Sequence, residues 1–278
     1  MQIIEKISEI RALSRGERAK GGKVAFVPTM GFLHDGHASL LSEGRRRGEF
    51  LVLSIFVNPT QFDRKEDLEK YPRDLERDFA LARRCGVDAV WVPTAQEMYP
   101  EGYETFVQVG DIAAPLCGAT RPGHFRGVAT VVSKLFIAVE PDVALFGEKD
   151  YQQLAVIRRM TKDLGLPVEI VGMPTLRDPD GLAMSSRNSR LSASDRPQAL
   201  SLYRSIQAVR KAFQAGERDA RKLEAIAKKE LEGLKVDYAE VRDADSLREI
   251  KDVKGRALYA VAAFVKGVRL IDNTVLGT

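Results

Sequence analysis

The stretch VAFVPTMGFLHDGH, residues 24–37, joins a short apolar run to a turn that contains two of the chain's three histidines. Its apolar part, Val24 to Val27, is typical of a strand that is buried on both faces. The residues that follow predict a helix beginning near Gly36, with unpaired main-chain N–H groups and the positive end of the helix dipole at its start. A strand, a turn and a helix N-terminus in this order favour phosphate binding.

The alternation of strand and helix continues along the chain. Further apolar runs predict strands at Leu51–Val57, Ala89–Val92, Val143–Phe146 and Val168–Val171. Apolar residues at helical spacing predict crossover helices at Ala38–Arg47, Pro72–Cys85, Gly127–Val139 and Tyr151–Leu164, with Pro72 in a first helical turn. Such alternation buries parallel strands between two helical layers, and it predicts an α/β fold with a Rossmann-like, doubly wound parallel sheet. Ligands of such a sheet bind at the carboxyl ends of its strands.

The pattern changes from about Ser192 onward. Two helices are predicted there, followed by three strands, at Ala193–Gln214, Ala220–Glu232, Val236–Val241, Arg256–Val265 and Val268–Ile271. This order predicts a smaller C-terminal α+β domain. The polar segment Leu176–Asn188 is the best candidate for a boundary loop. The predicted domains are therefore residues 1–175 and residues 176–278.

Composition excludes several classes of protein. The 278 residues are 44% hydrophobic, enough for a sizeable core, but no run approaches the roughly 18 uninterrupted apolar residues of a membrane span. The N-terminus is charged rather than signal-like, and Cys85 and Cys117 lie outside any C-x-x-C spacing. We therefore expect a soluble protein of the reducing cytoplasm without a membrane partner. The formal charge of +4 is too small to indicate nucleic acid, whereas an anionic small substrate suits it.

The two histidines of the first turn, His34 and His37, are three residues apart and share one helical face. Three interpretations are open: donors to phosphate oxygens, ordinary satisfied histidines, or metal ligands with Asp35 or His124 as the third. The sequence lacks the H-E-x-x-H pattern that would favour a metal site, so we predict no protein metal ligand. The position at a helix N-terminus favours phosphate.

The tetrad His34-Asp35-Gly36-His37 resembles the motif of the H-x-G-H nucleotidyltransferase superfamily. The resemblance implies attack of a nucleophile on the α-phosphate of ATP. The superfamily includes class I aminoacyl-tRNA synthetases and adenylyl- and cytidylyltransferases, so the tetrad alone does not identify the attacking group.

Four further segments resemble a known family more specifically than the tetrad does. They are FVNPTQF at 56–62, RPGHFRGV at 121–128, FGEKDYQQL at 146–154 and MSSRN at 184–188. In order and spacing they resemble the pantothenate synthetase family, and the resemblance extends as far as Ile271-Asp272-Asn273. It implies an ATP-dependent ligase that condenses (R)-pantoate with β-alanine through pantoyl adenylate and releases AMP and pyrophosphate. The product, pantothenate, is vitamin B5, a precursor of coenzyme A.

The resemblance also implies which residues contact ATP. They are Met30, Gly31, Phe32, Leu33, His34, Asp35, Gly36, His37, Gly147, Glu148, Lys149, Asp150, Leu176, Met184, Ser185, Ser186 and Arg187. Met184 to Arg187 occupy the place of the superfamily's K-M-S-K-S-like loop. Ala183 and Ser186 replace its two lysines, so the cationic role falls to Arg187 and Lys149. Without the other motifs, the segment that contains Lys149 would be interpreted as an ordinary capped helix, and the segment that contains Ser186 and Arg187 as a polar loop.

The predicted substrate-binding residues include amides after the second strand. Gln61 and Gln153 are implied to hydrogen-bond pantoate, with Asn58 beside Gln61 and with apolar contacts from Pro28 and Met30. Arg121 is implied to hold a substrate carboxylate or to help bind β-alanine.

Three other polar residues are candidates for supporting roles. His124 and Arg126 are alternative organisers of the loop that contains Arg121. Asp78, on a charged helix, has two interpretations, a solvated surface position and an indirect magnesium contact. The solvated position is the favoured one.

The implied catalytic residues are His37, as proton donor, with His34, Lys149, Ser186 and Arg187 as stabilisers of phosphate charge. Mg²⁺ is expected to be held by ATP and water. The resemblance further implies a C-terminal lid and a homodimer. The alternatives are an adenylyltransferase that leaves AMP on its product, a non-catalytic nucleotide- or RNA-binding module, and a truncated aminoacyl-tRNA synthetase.

Overall fold

The computed structural model of the chain describes residues 1–277 and divides into two compact units. The first unit comprises Met1–Gly110, Arg121–Glu148 and Val156–Pro174, and the second comprises Asp111–Thr120, Lys149–Ala155 and the chain from Thr175 onward. The predicted domain boundary between residues 175 and 176 stays a prediction. Thr278, the last residue of the predicted second domain, lies outside the described residues.

The first unit contains a six-stranded sheet within residues 1–277. Its strands are β1 (Gln2–Ile4), β2 (Val24–Thr29), β3 (Phe50–Ile55), β4 (Ala89–Trp91), β5 (Val143–Gly147) and β6 (Glu169–Met173). Neighbouring strands are parallel, in the order β1-β4-β3-β2-β5-β6, which confirms the predicted Rossmann-like sheet. The chain proceeds from β2 through β3 to β4 on one side and from β5 to β6 on the other. The strand order therefore reverses between β2 and β5, where ligands of such sheets bind.

Helices connect the strands. They are α1 (Ile7–Ala19), α2 (Asp35–Arg47), α3 (Lys65–Glu69), α4 (Leu75–Arg84), α5 (Ala95–Met98), α6 (Cys117–Thr120), α7 (His124–Val139), α8 (Tyr151–Asp163), α9 (Arg196–Ala199), α10 (Ser201–Gln214) and α11 (Ala220–Glu230). Short 3₁₀ turns occur at Pro59–Gln61, Asp111–Ala113, Glu148–Asp150 and Ser186–Arg190. Within residues 1–277, no helix combines the length and the apolar character needed to cross a lipid bilayer.

Both faces of the six-stranded sheet are covered in the first unit. Val27 packs with Leu41 of α2 on one face, and Phe26 meets Phe136 of α7 edge-on, with ring centroids 6.5 Å apart. Successive residues of β2 therefore point into two different apolar layers. This double burial explains why the strands of the sheet are almost continuously apolar.

Several element boundaries differ from those predicted. The sequence patterns missed β1 and α1. Helix α2 begins at Asp35, one residue before the predicted start near Gly36, and α7 begins three residues before the predicted Gly127. The placement of Pro72 in a first helical turn was wrong, because α4 begins at Leu75. Asp74 caps that helix by accepting a hydrogen bond from the N–H of Arg77 at 3.1 Å.

The second unit contains a three-stranded antiparallel sheet in the order β7-β8-β9 within residues 1–277. Its strands are β7 (Lys235–Asp243), β8 (Ala257–Val265) and β9 (Val268–Leu276). Helices α10 and α11 pack on one face of this sheet, which makes the unit α+β as predicted. The predicted helix Ala193–Gln214 is divided at Leu200, and β9 extends five residues beyond its predicted end.

Gly127 lies where α7 passes the 3₁₀ turn Pro59–Gln61 in the first unit. A Cβ atom at this position would overlap the carbonyl group of Thr60 and lie 2.8 Å from the Cα atom of Gln61. Main-chain atoms cannot move aside as a flexible side chain does. Glycine is therefore required for α7 to approach this turn.

We expect Gly127→Ala to lower the free energy of unfolding by about 1–3 kcal/mol, because it overpacks this contact. Gly16→Ala is the matched control, since Gly16 is exposed in α1 and an added Cβ would meet no atom within 4 Å. It should raise the free energy of unfolding by about 0.5–1 kcal/mol. Urea unfolding followed by circular dichroism measures both values. Equal stability of the two variants would contradict the close approach at Gly127.

Candidate active site

The predicted site residues fall into two groups, one in each unit. The first group comprises Pro28, Met30, Gly31, Phe32, Leu33, His34, Asp35, Gly36, His37, Asn58, Gln61, Arg121, Gly147 and Glu148. The second group comprises Lys149, Asp150, Gln153, Leu176, Met184, Ser185, Ser186 and Arg187. The roles of these residues stay predictions.

The turn after β2 has an unusual backbone. Gly31 and Phe32 both adopt the left-handed region, with φ of 82° and 51°. A Cβ atom at Gly31 would lie 2.9 Å from the side chain of Ile55, so this position requires glycine for its space as well as its dihedral angle. Phe32 occupies a region that costs an L-residue roughly 1–2 kcal/mol, so other contacts must hold it there.

Asp78 supplies those contacts. Its carboxylate accepts hydrogen bonds from the N–H groups of Phe32 at 2.8 Å and Leu33 at 2.6 Å. Asp78 is only 1% exposed, so its predicted solvated position was wrong. Burial raises the pKa of Asp78, opposed by the two main-chain hydrogen bonds. A signal for its burial was present, because Leu81 and Ala82 share a helical face with Asp78.

His34 and His37 have defined ring orientations at the start of α2. Nδ1 of His34, the N-cap residue, accepts a hydrogen bond from the N–H of Gly36 at 3.1 Å. Nδ1 of His37 accepts one from the N–H of His34 at 3.2 Å. In a neutral ring with Nδ1 as acceptor, the proton is on Nε2. Each neutral histidine therefore has an Nε2–H donor.

This tautomer bears on the two functional interpretations of the histidine pair. A metal ion at Nε2 of His34 or His37 would require the proton to move to Nδ1, where it would oppose a main-chain N–H. A phosphate oxygen instead accepts from Nε2–H without disturbing the cap. Within residues 1–277, no cluster of three His, Cys, Asp or Glu side chains is arranged to hold a metal ion. The geometry favours phosphate.

Asn58 is the centre of a buried network in the first group. Its Oδ1 atom accepts hydrogen bonds from the Tyr99 hydroxyl at 2.8 Å and from the hydroxyl and N–H of Thr60 at 2.9 and 3.3 Å. Its Nδ2 atom donates to Oε1 of Gln61 at 3.0 Å and to the carbonyl of Gly127 at 3.2 Å. Burial raises the pKa of Tyr99 to about 12, so this hydroxyl remains a donor at neutral pH.

The network determines how Gln61 presents its amide. Because Oε1 of Gln61 accepts from Asn58, its Nε2 group points the other way, 3.2 Å from Sδ of Met30. Gln61 is thereby set to donate hydrogen bonds beside an apolar side chain. Asn58 orients Gln61 in this arrangement, and direct contact of Asn58 with a substrate stays a prediction.

Arg121 and His124 support the main chain of Gln61. Nη2 of Arg121 donates to the Gln61 carbonyl at 3.1 Å, and Nδ1 of His124 is 2.8 Å from the same oxygen and must donate to it. Arg121 also pairs with Asp63 at 2.7 Å. Burial alone would raise the pKa of Asp63, but the hydrogen bond and charge of Arg121 hold it below its ordinary value. His124 therefore organises this loop. Arg126 lies 4.7 Å from the ring centroid of Phe106.

The second group begins at a 3₁₀ turn, Glu148–Asp150. Nζ of Lys149 lies 3.5 Å from Oδ2 of Asp150, and the Lys149 side chain is 17% exposed. The carbonyl oxygen of Lys149 accepts a hydrogen bond from Nδ2 of Asn273 at 2.8 Å. Gln153 is half-buried in the first turn of α8. The main chain at Lys149 is therefore tied to β9, a contact that sequence analysis did not predict.

The segment before Ser186 and Arg187 is a paired turn of the second unit. Arg177 pairs with Ala183, and the N–H of Met184 donates to the carbonyl of Leu176 at 3.0 Å. Arg196 contacts two carboxylates of this turn, Asp178 at 2.6 Å and Asp180 at 2.6 Å. The Asp180 pKa is lowered, chiefly by the hydrogen bond from Arg196.

The turn leads into the 3₁₀ helix Ser186–Arg190. Ser185 caps this helix, since its Oγ accepts from the N–H of Arg187 at 3.3 Å. Ser186 is buried, and Leu176 is exposed. Hydrogen bonds of the paired turn and of the Ser185 cap therefore hold the main chain at the start of the segment with Ser186 and Arg187.

We expect Asp78→Asn to lower the free energy of unfolding by about 1–3 kcal/mol, because the amide keeps only one of the two accepting oxygens and places an NH₂ donor against the second main-chain N–H. The amide NMR signals of Phe32 and Leu33 should shift more than those of distant residues. Asp163→Asn is the control, because Asp163 forms an exposed pair with Arg159 on α8. It should change stability by less than about 0.5 kcal/mol. Unchanged stability and unchanged signals in Asp78→Asn would contradict the anchoring role.

Comparison with known proteins adds an independent finding. The family model described as Pantoate-beta-alanine ligase matches residues 2–275. The chain is similar to proteins named pantothenate synthetase from Pelobacter propionicus, at 58% identity, and from Geobacter sulfurreducens, at 52% identity. Each alignment covers 100% of this chain and 99% of the relative.

Solved structures show the same similarity. Pantothenate synthetase from Thermus thermophilus has a TM-score of 0.93 at 46% identity, with 99% of both chains covered. Pantoate-beta-alanine ligase from Francisella tularensis, complexed with beta-gamma ATP and beta-alanine, has a TM-score of 0.83 at 33% identity. That match covers 99% of this chain and 97% of the other. Sequence and fold agree, and the chain belongs to the pantoate–β-alanine ligase family.

Proposed function

We propose that this protein condenses (R)-pantoate with β-alanine in an ATP-dependent reaction, through a pantoyl-adenylate intermediate. The observation that carries the proposal is the histidine pair at the start of α2. Nδ1 of His34 and Nδ1 of His37 both accept main-chain hydrogen bonds, so the proton of each neutral ring is on Nε2, which makes that atom a donor. These donors follow β2, beside the reversal of strand order, where an anionic ligand is favoured.

In the first step, a carboxylate oxygen of pantoate attacks the α-phosphorus of ATP. A new bond forms between that oxygen and the α-phosphorus. The bond between the α-phosphorus and the oxygen that bridges to the β-phosphorus breaks, and pyrophosphate leaves with the electron pair. Negative charge grows on the leaving group, and preorganised donors stabilise it. The proposed donors are His34, His37, Lys149, Ser186 and Arg187, with His37 as the proton donor.

In the second step, the neutral amine of β-alanine attacks the acyl carbon of pantoyl adenylate. The C–N bond forms, the C–O bond to AMP breaks, AMP leaves with the electron pair, and the amine nitrogen releases a proton to water. Exclusion of water protects the mixed anhydride until the amine arrives. We assign ATP and pantoate binding to residues 1–175 and a lid role to residues 176–278.

Pantoate binding is assigned to a small set of polar and apolar residues. Gln61 offers its Nε2 donors beside Met30, a suitable environment for a hydroxy acid with a gem-dimethyl group. Pro28 adds apolar surface, Gln153 is a second proposed amide donor, and Asn58 keeps Gln61 in position. Arg121 is the proposed contact for a substrate carboxylate.

The remaining ATP contacts, the metal and the setting of the enzyme are also proposals. Adenine, ribose and phosphate contacts are assigned to the remaining predicted residues, Gly31, Phe32, Leu33, Asp35, Gly36, Gly147, Glu148, Asp150, Leu176, Met184 and Ser185. Mg²⁺ is proposed to enter as MgATP and to be held by phosphate oxygens and water, without a protein ligand. We place the enzyme in the cytoplasm as a homodimer, with no nucleic-acid or membrane partner.

Product analysis tests the proposed reaction. The purified protein is incubated with MgATP and pantoate, with and without β-alanine, and the products are identified by mass spectrometry. Pantothenate and AMP should appear only when all three substrates are present. An adenylylated product that accumulates with another acceptor, without pantothenate, would favour the alternative adenylyltransferase.

We expect His37→Asn to lower the rate of pantoate-dependent exchange between ATP and pyrophosphate by about 100- to 1,000-fold. Asparagine can still accept from the N–H of His34, so the variant removes the Nε2–H donor with less damage to the cap. Ser42→Ala, an exposed change on the same helix, is the control and should keep the wild-type rate. Near-normal exchange in a folded His37→Asn protein would refute the assigned role.

A further inference from the structure

Two adjacent residues of β9, Asp272 and Asn273, hold two segments that are far away in sequence. Asp272 accepts a bidentate pair of hydrogen bonds from Arg177, at 2.6 and 2.8 Å, across 95 positions. Asn273 donates to the carbonyl of Lys149 at 2.8 Å, across 124 positions. The N–H of Asn273 also donates to Oδ1 of Asp272 at 2.8 Å. The two long-range contacts are therefore made by neighbouring residues that are hydrogen-bonded to each other.

The pleat of β9 sends these two side chains to opposite faces of the three-stranded sheet. Asp272 is opposite Val261 of β8, which packs in the apolar layer formed with α10 and α11. Asn273 is opposite Ala260, whose layer contains Tyr151, two residues after Lys149. One strand therefore contacts both segments of the second group.

On the first face, Asp272 fixes the base of the paired turn that precedes Ser186. The carboxylate is 3% exposed, and both of its oxygens accept from the Arg177 guanidinium. The same guanidinium donates to the carbonyl of Gly181 at 3.0 Å, which closes the turn. Because β9 also contacts the 3₁₀ helix Ser186–Arg190, the ion pair and the helix share one support.

On the second face, Asn273 holds a carbonyl rather than a side chain. A hydrogen bond to the Lys149 carbonyl constrains the main chain from which the lysine side chain extends. The ammonium group itself donates to Oδ2 of Asp150 at 3.5 Å and takes no part in the contact with Asn273. This contact therefore determines where the lysine side chain starts, without using its charge.

We propose that Asp272 and Asn273 are positioning residues for adenylation, which keep Lys149 and the Ser186–Arg187 segment in a fixed mutual arrangement within the second unit. This inference rests on the proposed function, in which both segments stabilise charge on departing pyrophosphate. Donors contribute to such stabilisation only when they are already in place, and a shift of about 1 Å can cost about 100-fold in rate.

The two half-reactions separate this role from a purely structural one. Adenylation needs the pyrophosphate donors, whereas attack of β-alanine on supplied pantoyl adenylate proceeds after pyrophosphate has left. We therefore expect Asn273→Ala to lower the kcat of pantoate-dependent ATP–pyrophosphate exchange by about 10- to 100-fold. Amide formation from supplied pantoyl adenylate should stay within about twofold of wild type. The KM for pantoate should also change little, because its main proposed contacts lie in the first unit.

Two further variants complete the test. Asp272→Asn should show the same selective loss, since an amide cannot replace the bidentate acceptor. It also leaves Arg177 poorly paired and can destabilise the fold, which is why half-buried Asn273 supplies the primary variant. Thr274→Val on the same strand is the control, because within residues 1–277 the Thr274 hydroxyl makes one long hydrogen bond, of 3.5 Å to the carbonyl of its neighbour Val275.

Each outcome of these measurements supports or overturns the inference or the proposed function. A selective loss of exchange in Asn273→Ala, with wild-type rates in Thr274→Val, supports the inference. Unchanged exchange in Asn273→Ala overturns it, and so does an equal fall in both half-reactions, which indicates general loss of structure. Absence of pantoate-dependent exchange in the wild-type protein instead overturns the proposed function itself.

Discussion

The Asp78 carboxylate accepts hydrogen bonds from the main-chain N–H groups of Phe32 and Leu33, and the first group of site residues depends on this contact. It holds a turn in which Phe32 has positive φ, a conformation that an L-residue adopts only at a cost. Without it, two N–H groups at the turn would lose their acceptor. This turn places His34 at the N-cap position of α2. The main-chain hydrogen bonds of the cap go to Nδ1 of His34 and of His37, which puts the proton of each neutral ring on Nε2.

A common principle governs both units: the residues proposed to contact ligands are oriented by neighbours that make no such contact themselves. In the first unit, Asn58 and Tyr99 orient the Gln61 side chain, and His124 holds its main chain. In the second, Asp272 and Asn273 hold the bases of two separate segments. Such support removes conformational freedom before a ligand arrives, so less of the binding energy is spent on ordering the site.

Family membership and local geometry contribute different kinds of knowledge. Homology across nearly the whole chain establishes the pantoate–β-alanine ligase family. The geometry explains why the H-x-G-H tetrad suits phosphate better than metal, because main-chain donors already occupy Nδ1 of both histidines. It also shows that Arg121 and the pair Asp272 and Asn273 are each engaged in specific contacts of their own unit.

Strand and helix alternation, visible as local periodicity, predicted the parallel sheet, and the turn after the first apolar run predicted a helix N-terminus beside His34 and His37. Periodicity records which residues share a face but not which polar group meets a buried partner. The local sequence around Asp78 is therefore typical of a surface charge, whereas the fold buries its carboxylate against the turn after β2. The contacts of Asp272 and Asn273 likewise join residues about 100 positions or more apart. Only the tertiary structure decided them, because hydrogen bonds across such separations depend on strand register and sheet packing rather than on local sequence.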